Sequence, residues 1–194
     1  KGKTYTMFSP IYTTPKEMTL QLLRKKVPVS VWARLIRLCL YVDNAIQPIE
    51  GINNAEDYQQ MPRLTFYAQK VYSINDALYH YNCTNINSYT ATYSPKLAEQ
   101  VMLSVNLLEF FFQNKDIEYI DALNFSKAEI YVRDMVKCCR FGYKEHYCLA
   151  REKIGEMDRK YFVDLPFPFK ILLKLSNYYI AMIYVKLASL FKKR

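Results

Sequence analysis

The sequence predicts an all-α fold: a single compact domain of about six main helices behind an extended N-terminal arm. Three observations carry that reading. Apolar residues recur at three- and four-residue steps through most of the chain, the spacing that lines one face of a helix. Only four glycines occur in 194 residues, which disfavours folds rich in tight turns, because glycine is the residue that reaches positive φ at little cost. Apolar residues make up 51% of the chain against 23% charged. That balance fits a globular chain near the size of one domain and is too apolar for a disordered or collagenous class.

Residues 1–28 read as the arm, punctuated by Pro10, Pro15 and Pro28, with one short helix expected around Glu17 to Lys25 behind Thr13 and Thr14. The helical domain then occupies 29–194. Ser30 is placed to cap a helix through Trp32, Leu35, Ile36, Leu38, Cys39 and Val42, which Pro48 and Gly51 end. Trp32 shares the apolar face of that helix and is expected in the core. A second helix runs from Met61 to about Tyr81 with Pro62 in its first turn and Leu64, Tyr67, Val71, Ile74, Ala77 and Leu78 as its stripe. The polar run Asn82 to Ser94 reads as a loop. Pro95 opens a third helix that is apolar nearly all round through Phe112 and is therefore expected to be central. A short helix over Asp116 to Asn124 follows, then a long one from Ser126 that Gly142 can kink. Leu165-Pro-Phe-Pro-Phe169 interrupts regular helix, and Lys170 to Phe191 reads as the last.

The net charge of +9 is carried by the ends. Lys1 to Lys26 holds six basic residues against Glu17, and Leu165 to Arg194 holds six against no acid, leaving about −2 for the rest. Basic ends suit nucleic acid, an anionic membrane face or acidic protein segments alike, since one Coulomb field attracts them all. Five cysteines without a regular framework point to a reducing compartment, nuclear or cytosolic. No signal peptide is read in the first 28 residues. The charge-free stretch Leu175 to Val185 spans 11 residues, against roughly 20 for a bilayer crossing, so it reads as a buried helix before a basic tail.

Catalytic constellations are scarce. His146 and Cys148, with Cys138 and Cys139, invite a zinc assignment, but adjacent cysteines on one helix point in different directions, so buried thiols and a surface histidine are the better reading. Glu50, Glu56 and Asp57 near Asp43 do not share a helical face that could hold magnesium, because Pro48 and Gly51 intervene. No glycine-rich phosphate loop and no Gly-x-Ser-x-Gly elbow occur. The expectation is a non-enzyme with no cofactor and no metal, a binding module whose 18 tyrosines serve packing or a protein interface. The candidate contact residues are Arg24, Lys25 and Lys26, then Tyr143, Lys144 and Tyr147, then Lys192, Lys193 and Arg194. The terminal clusters are expected to tune association with an acidic partner.

Read together, ordered landmarks resemble the pre-mRNA-splicing factor 38 family. Ser30-Val-Trp32 is similar to a Ser-x-aromatic-Trp element, and Val42-Asp43-Asn44-Ala45 with Gly51 downstream to a Val-Asp-x-Ala element leading to glycine. Pro62-Arg-Leu64 with Lys70 and Ile74 resembles a proline-led helix. Glu109-Phe110 followed by Asn114-Lys-Asp116-Ile-Glu-Tyr119-Ile-Asp-Ala122-Leu123 resembles the family's Glu-Phe-Ile, then Asn-x-Asp-x-x-Tyr-x-x-Ala-Leu signature. Tyr143, Tyr147, Arg151, Gly155-Glu156, Val163-Asp164, Leu172-Leu173 and Lys193-Arg194 continue in family order. The chain departs from the pattern over Asn75 to Leu108, which is longer here, and lacks the Leu-Thr-Gly segment after the Ala-Leu signature. The resemblance implies an all-helical, nuclear spliceosomal scaffold that joins before activation and helps the particle mature toward release of the U4 small nuclear RNA. Its partners would be other spliceosomal proteins, with possible small nuclear RNA phosphate contacts and no small-molecule substrate. Two alternatives stay open: a peripheral membrane or organellar assembly subunit anchored by Phe167 to Arg194, and a helical RNA-binding accessory protein of a virus or mobile element.

Overall fold

The computed structural model describes residues 14–74, 76, 78–79 and 93–191. Its elements are α1 Pro15–Leu23, α2 Leu38–Val42, α3 Glu56–Tyr67, α4 Pro95–Phe112, α5 Ile117–Phe141, α6 Lys144–Gly155, a 3-10 turn Arg159–Phe162, α7 Phe167–Lys174 and α8 Tyr178–Phe191. The all-α class is found; among the described residues the only extended pairing is a single bridge position at Val71. The chain divides into two compact units, Lys1–Thr92 with Glu99–Leu123, and Tyr93–Ala98 with Asn124–Arg194.

In the first unit, α1 starts from a capping box: Glu17 N–H donates to Thr14 Oγ1 at 3.2 Å, and Thr14 N–H donates back to the Glu17 carboxylate at 3.0 Å. Met18 and Leu22 are buried against Met61 and Leu64 of α3 and against Ile46. The Thr19 and Thr65 hydroxyls meet at 3.0 Å across the same seam. From Thr14 onward the segment expected as arm is therefore core, because one face of α1 is apolar enough to need covering. Residues 1–13 lie outside the described residues.

The helix expected from Ser30 to Val42 shrinks to α2. Ala33 turns the chain at φ 59°, and Arg34 donates to the carbonyls of Ser30 at 2.6 Å and Pro28 at 2.5 Å. The Asp57 carboxylate accepts a backbone bond from Val31. Side chains thus satisfy backbone groups that a helix would have paired internally. Val27, Val29, Val31, Ile36, Leu40 and Tyr41 line the edge of the core instead, whereas Leu35 is fully exposed. Trp32 is half-buried and stacks on Tyr79 with centroids 5.1 Å apart, so it is not the interior residue expected.

Helix α3 begins five residues before the expected Met61 and ends at Tyr67, with Pro62 in its interior rather than its first turn. Of the expected stripe, Leu64 and Tyr67 are helical, Val71 still packs on the core and Ile74 and Leu78 are exposed, while Ala77 and Tyr81 lie outside the described residues. Phe66 meets Phe111, Phe112 and Tyr119 edge-on at 5.5 to 5.6 Å. Gln100 of α4 donates to the Gly51 carbonyl at 2.9 Å. The central helix expected from Pro95 forms as α4, though Phe110 stays exposed.

In the second unit, Val132, Met135, Cys138 and Cys139 of α5 pack with Tyr147 and Ala150 of α6, Leu172 of α7, and Tyr178, Ala181 and Val185 of α8. No break separates the short and long helices expected around Asn124; α5 is one helix of 25 residues. Gly142 ends it rather than kinking it. At φ 86° it sits just past the last turn, and the amides of Gly142 and Tyr143 both bond the Cys138 carbonyl, at 2.9 and 3.0 Å. The Pro-Phe-Pro segment lies in the first turn of α7, where a missing N–H costs nothing. The expected last helix is two. Leu175 is extended, Arg151 takes its carbonyl at 2.7 Å, and Asn177 Oδ1 accepts from Tyr179 N–H at 2.8 Å to start α8.

Candidate interaction surface

The residues singled out from sequence fare differently. Arg24, Lys25 and Lys26 are exposed where α1 ends, and Lys25 caps that end as well as offering charge. Lys192, Lys193 and Arg194 lie outside the described residues. Tyr143 is partly exposed and Lys144 exposed, the lysine ammonium standing 5.1 Å from the Tyr179 ring. Tyr147 is corrected: it is 1% exposed and meets Tyr178 edge-on at 5.2 Å. Tyr147, Ala150 and Ile154 share the inner face of α6 at helical spacing, so Tyr147 is core and offers no contact.

A polar cluster that sequence reasoning missed lies in the second unit. The Tyr93 hydroxyl donates to Asp134 Oδ1 at 2.5 Å and lies 3.2 Å from Cys138 Sγ, and Asp134 Oδ2 pairs with His146 Nε2 at 3.0 Å. Asp134 and Cys138 are one turn apart on α5, which is the signal the sequence held; their partner Tyr93 is 41 positions from Asp134, which no local pattern reveals. Burial raises the Asp134 carboxyl above its usual range, partly offset by Tyr93, His146 and Lys137. Burial foremost also drives the Tyr93 phenol upward, the Cys138 thiol up to about 12 and the Cys139 thiol up to about 11.

This cluster has the composition of a nucleophilic site without its electronics. A thiol held near 12 is protonated at neutral pH, and thiolate is the reactive form. The imidazole is engaged with Asp134 rather than with a cysteine. Cys138 and Cys139 are buried while Cys148 is exposed, and among the described residues no group of three His, Cys, Asp or Glu side chains is placed to hold a metal ion. The Asp134 network ties α5, α6 and the residues preceding α4 together.

A cavity of about 260 Å³ opens between Asn124, Tyr131, Lys153, Glu156 and Tyr161. Its charges answer one another, with Lys153 to Glu156 at 2.9 Å. In the first unit, Asp57 stands beside Arg34 and its carboxyl is raised mainly by burial, while Glu50 and Glu56 flank a shallow surface dent.

What the second unit does present is an outer helix face. Tyr178, Ala181 and Val185 bury one side of α8, and on the opposite side Tyr179, Ile180, Ile183 and Leu187 are 52 to 56% exposed. The spacing Ile180, Ile183, Leu187 is that of a helix face that meets another element. Phe167 at the start of α7 is exposed too. Lys174 and Lys186 are exposed near this surface in sequence, and no acid occurs from Leu165 to Arg194. No helix of the described residues is long and apolar enough to cross a membrane. Compared with protein-family models, curated proteins and solved structures, the chain matches none.

Proposed function

We propose that this chain is a non-enzymatic helical scaffold that works by docking other proteins, in the setting its resemblance to the splicing factor 38 family implies: the spliceosome before activation. The observation that carries the docking reading is the doubly apolar α8, one face sealed in the core and the other bare. Four large side chains at helical spacing are a contiguous apolar surface of the kind that marks an interaction site. Charge selects the occupant. A surface with lysines and no acid over 30 residues fits an amphipathic helix with apolar anchors and acidic flanks, contributed by another protein of the particle. The Asp134 cluster is compatible with the reading, since burial holds the Cys138 thiol in its protonated, unreactive form.

The test uses the full chain, tagged, in nuclear extract stalled before spliceosome activation. Wild type should co-sediment with particles containing U4 RNA, and the double variant Ile183→Asp, Leu187→Asp should lose at least tenfold of that signal with an unchanged melting temperature. Wild type absent from those particles would end the spliceosomal reading. Equal recovery of the double variant would end the role of α8.

A second reading has its own observation. Phe167, Tyr179 and Ile180 are exposed on an acid-free segment that also carries the exposed Lys174, a composition that also suits an anionic lipid surface. Flotation with vesicles of phosphatidylcholine and phosphatidylserine separates the two. Binding to them that Ile183→Asp abolishes would favour the membrane.

A further inference from the structure

We infer that the second unit carries a single-stranded RNA contact on the outer face of α5, built from Lys137 and Arg140 beside a cluster of three aromatic rings. The inference deepens the ribonucleoprotein reading above and rests on it for its RNA, but it needs nothing from α8. Arg133, Lys137 and Arg140 follow one another at four- and three-residue steps on α5 and are all exposed. They therefore form one stripe about 10 Å long. At its C-terminal end the Tyr93 ring lies 5.7 Å from Phe141 and 5.7 Å from Tyr143, and the Lys137 ammonium stands 5.5 Å from Tyr93. Phe141 is 55% exposed although it is a phenylalanine on the last turn of a long helix.

Each part has a separate task. Cations hold phosphates, while a bare ring beside them offers a face on which an unpaired base can stack. A duplex keeps its bases stacked inside and has no use for the rings, which is why the partner is single-stranded. Nearby acids are engaged: Glu129 pairs with Arg133, and Asp134 is held by Tyr93 and His146. Asp134 also attracts the Lys137 ammonium, so of the two phosphate ligands, Lys137 and Arg140, the arginine is the less opposed. Glu145, exposed in the first turn of α6 just beyond the ring cluster in sequence, adds a negative charge that a phosphate would meet. An acidic protein segment would use the cations alike but would not need Phe141.

Fluorescence anisotropy of the full chain with a labelled ten-nucleotide oligouridine, titrated at several salt concentrations, tests this. Lys137→Gln with Arg140→Gln should weaken binding about tenfold and flatten the log–log salt slope by about 1.4, two phosphates at roughly 0.7 each. Phe141→Ser should weaken binding about fivefold or more with the slope unchanged, and Glu145→Gln should strengthen it. Ile183→Asp with Leu187→Asp should bind the RNA as wild type does, so a failed α8 and a failed RNA face are told apart. Wild-type affinity in the double charge variant, or in Phe141→Ser, would overturn the inference. So would competition by polyglutamate as effective as that by unlabelled oligouridine, which would make the stripe an acidic-protein site.

Discussion

The Lys25 ammonium stands 4.9 Å from the centre of the Tyr58 ring, and the Tyr58 hydroxyl donates to the Leu23 carbonyl at 2.7 Å. Lys25 occupies a position that helices usually give to glycine. It has φ 54°, its N–H bonds the Leu22 carbonyl at 3.0 Å, and Lys26 N–H bonds that of Gln21 at 2.9 Å, the pair of bonds that closes a helix C-terminus. A left-handed lysine costs about 1 to 2 kcal/mol, and its stacking on the ring returns about 0.5 to 1 kcal/mol. Lys25→Gly should therefore be nearly neutral in thermal melts, since it removes strain and stacking together. Lys25→Ala keeps the strain, loses the stacking and should cost about 1 kcal/mol. A Lys25→Ala variant that melts with the parent would show that the ring contact contributes nothing, and equal melting temperatures for the two variants would show that the left-handed strain contributes nothing.

Ala55 precedes α3 at φ 67° with no side-chain hydrogen bond to cap the helix. Relief of a left-handed alanine outweighs the extra chain entropy that glycine brings to the unfolded state, about 0.4 to 1 kcal/mol. Ala55→Gly should stabilise the chain by about 0.5 to 1 kcal/mol, read as a higher urea midpoint at unchanged m. Ala68→Gly, where the backbone is extended at φ −69°, should not. This position also explains why the start of α3 was illegible. Helix starts are recognised by Ser, Thr, Asp or Asn caps, and Ala55 is none of these, so the sequence pattern points to Pro62 as the entrance.

Trp32 and Tyr147 exchange the roles their sequence neighbourhoods suggest. Periodicity assigns a side chain to a face without saying whether another element covers it. The stripe from Trp32 to Val42 has helical spacing, but Ala33 and Arg34 hold the chain in a different path, and the tryptophan ends on Tyr79. Tyr147 has the same polar neighbours as Tyr143, yet it faces α8. Strong stripes with recognisable ends were legible, as in α4 behind Pro95; long-range partners such as Tyr93 for Asp134 were not. Trp32→Ala should cost about 1 to 2 kcal/mol, well under the 3 to 5 expected of a buried tryptophan, whereas Tyr147→Ala should cost about 3 to 5. Denaturant melts that reversed this order would contradict the burial of the two rings.

Thiol reactivity separates the cysteines by the same physics. Cys39 and Cys148 are exposed, whereas Cys138 and Cys139 are buried, with burial pushing their thiols up to about 12 and about 11. Iodoacetamide at pH 8, followed by peptide mapping, should modify Cys39 and Cys148 in the native protein. Cys138 and Cys139 should be modified only after unfolding. Rapid native labelling of Cys138 would mean that the Tyr93 contact opens readily, and it would reopen a nucleophilic role.

Asp134 sets a pH dependence whose sign follows from its surroundings. Its carboxyl is raised above the ordinary 3.8 by burial, against the opposing pull of Tyr93, His146 and Lys137. In the window just above the ordinary value the folded chain holds this proton more tightly than the unfolded chain does. Folded-state stability from this group is then full below the window and declines as pH rises through the raised value, levelling once both states are ionised. An amide has no such proton. The stability difference between Asp134→Asn and its parent should therefore shift in favour of the amide as pH rises through that window and become flat above it. Both proteins should carry His146→Gln, so that the imidazole does not titrate in the same experiment, and urea midpoints from pH 3.5 upward provide the curve. A difference that moves the opposite way would mean that Tyr93 and Lys137 stabilise the carboxylate more than burial penalises it.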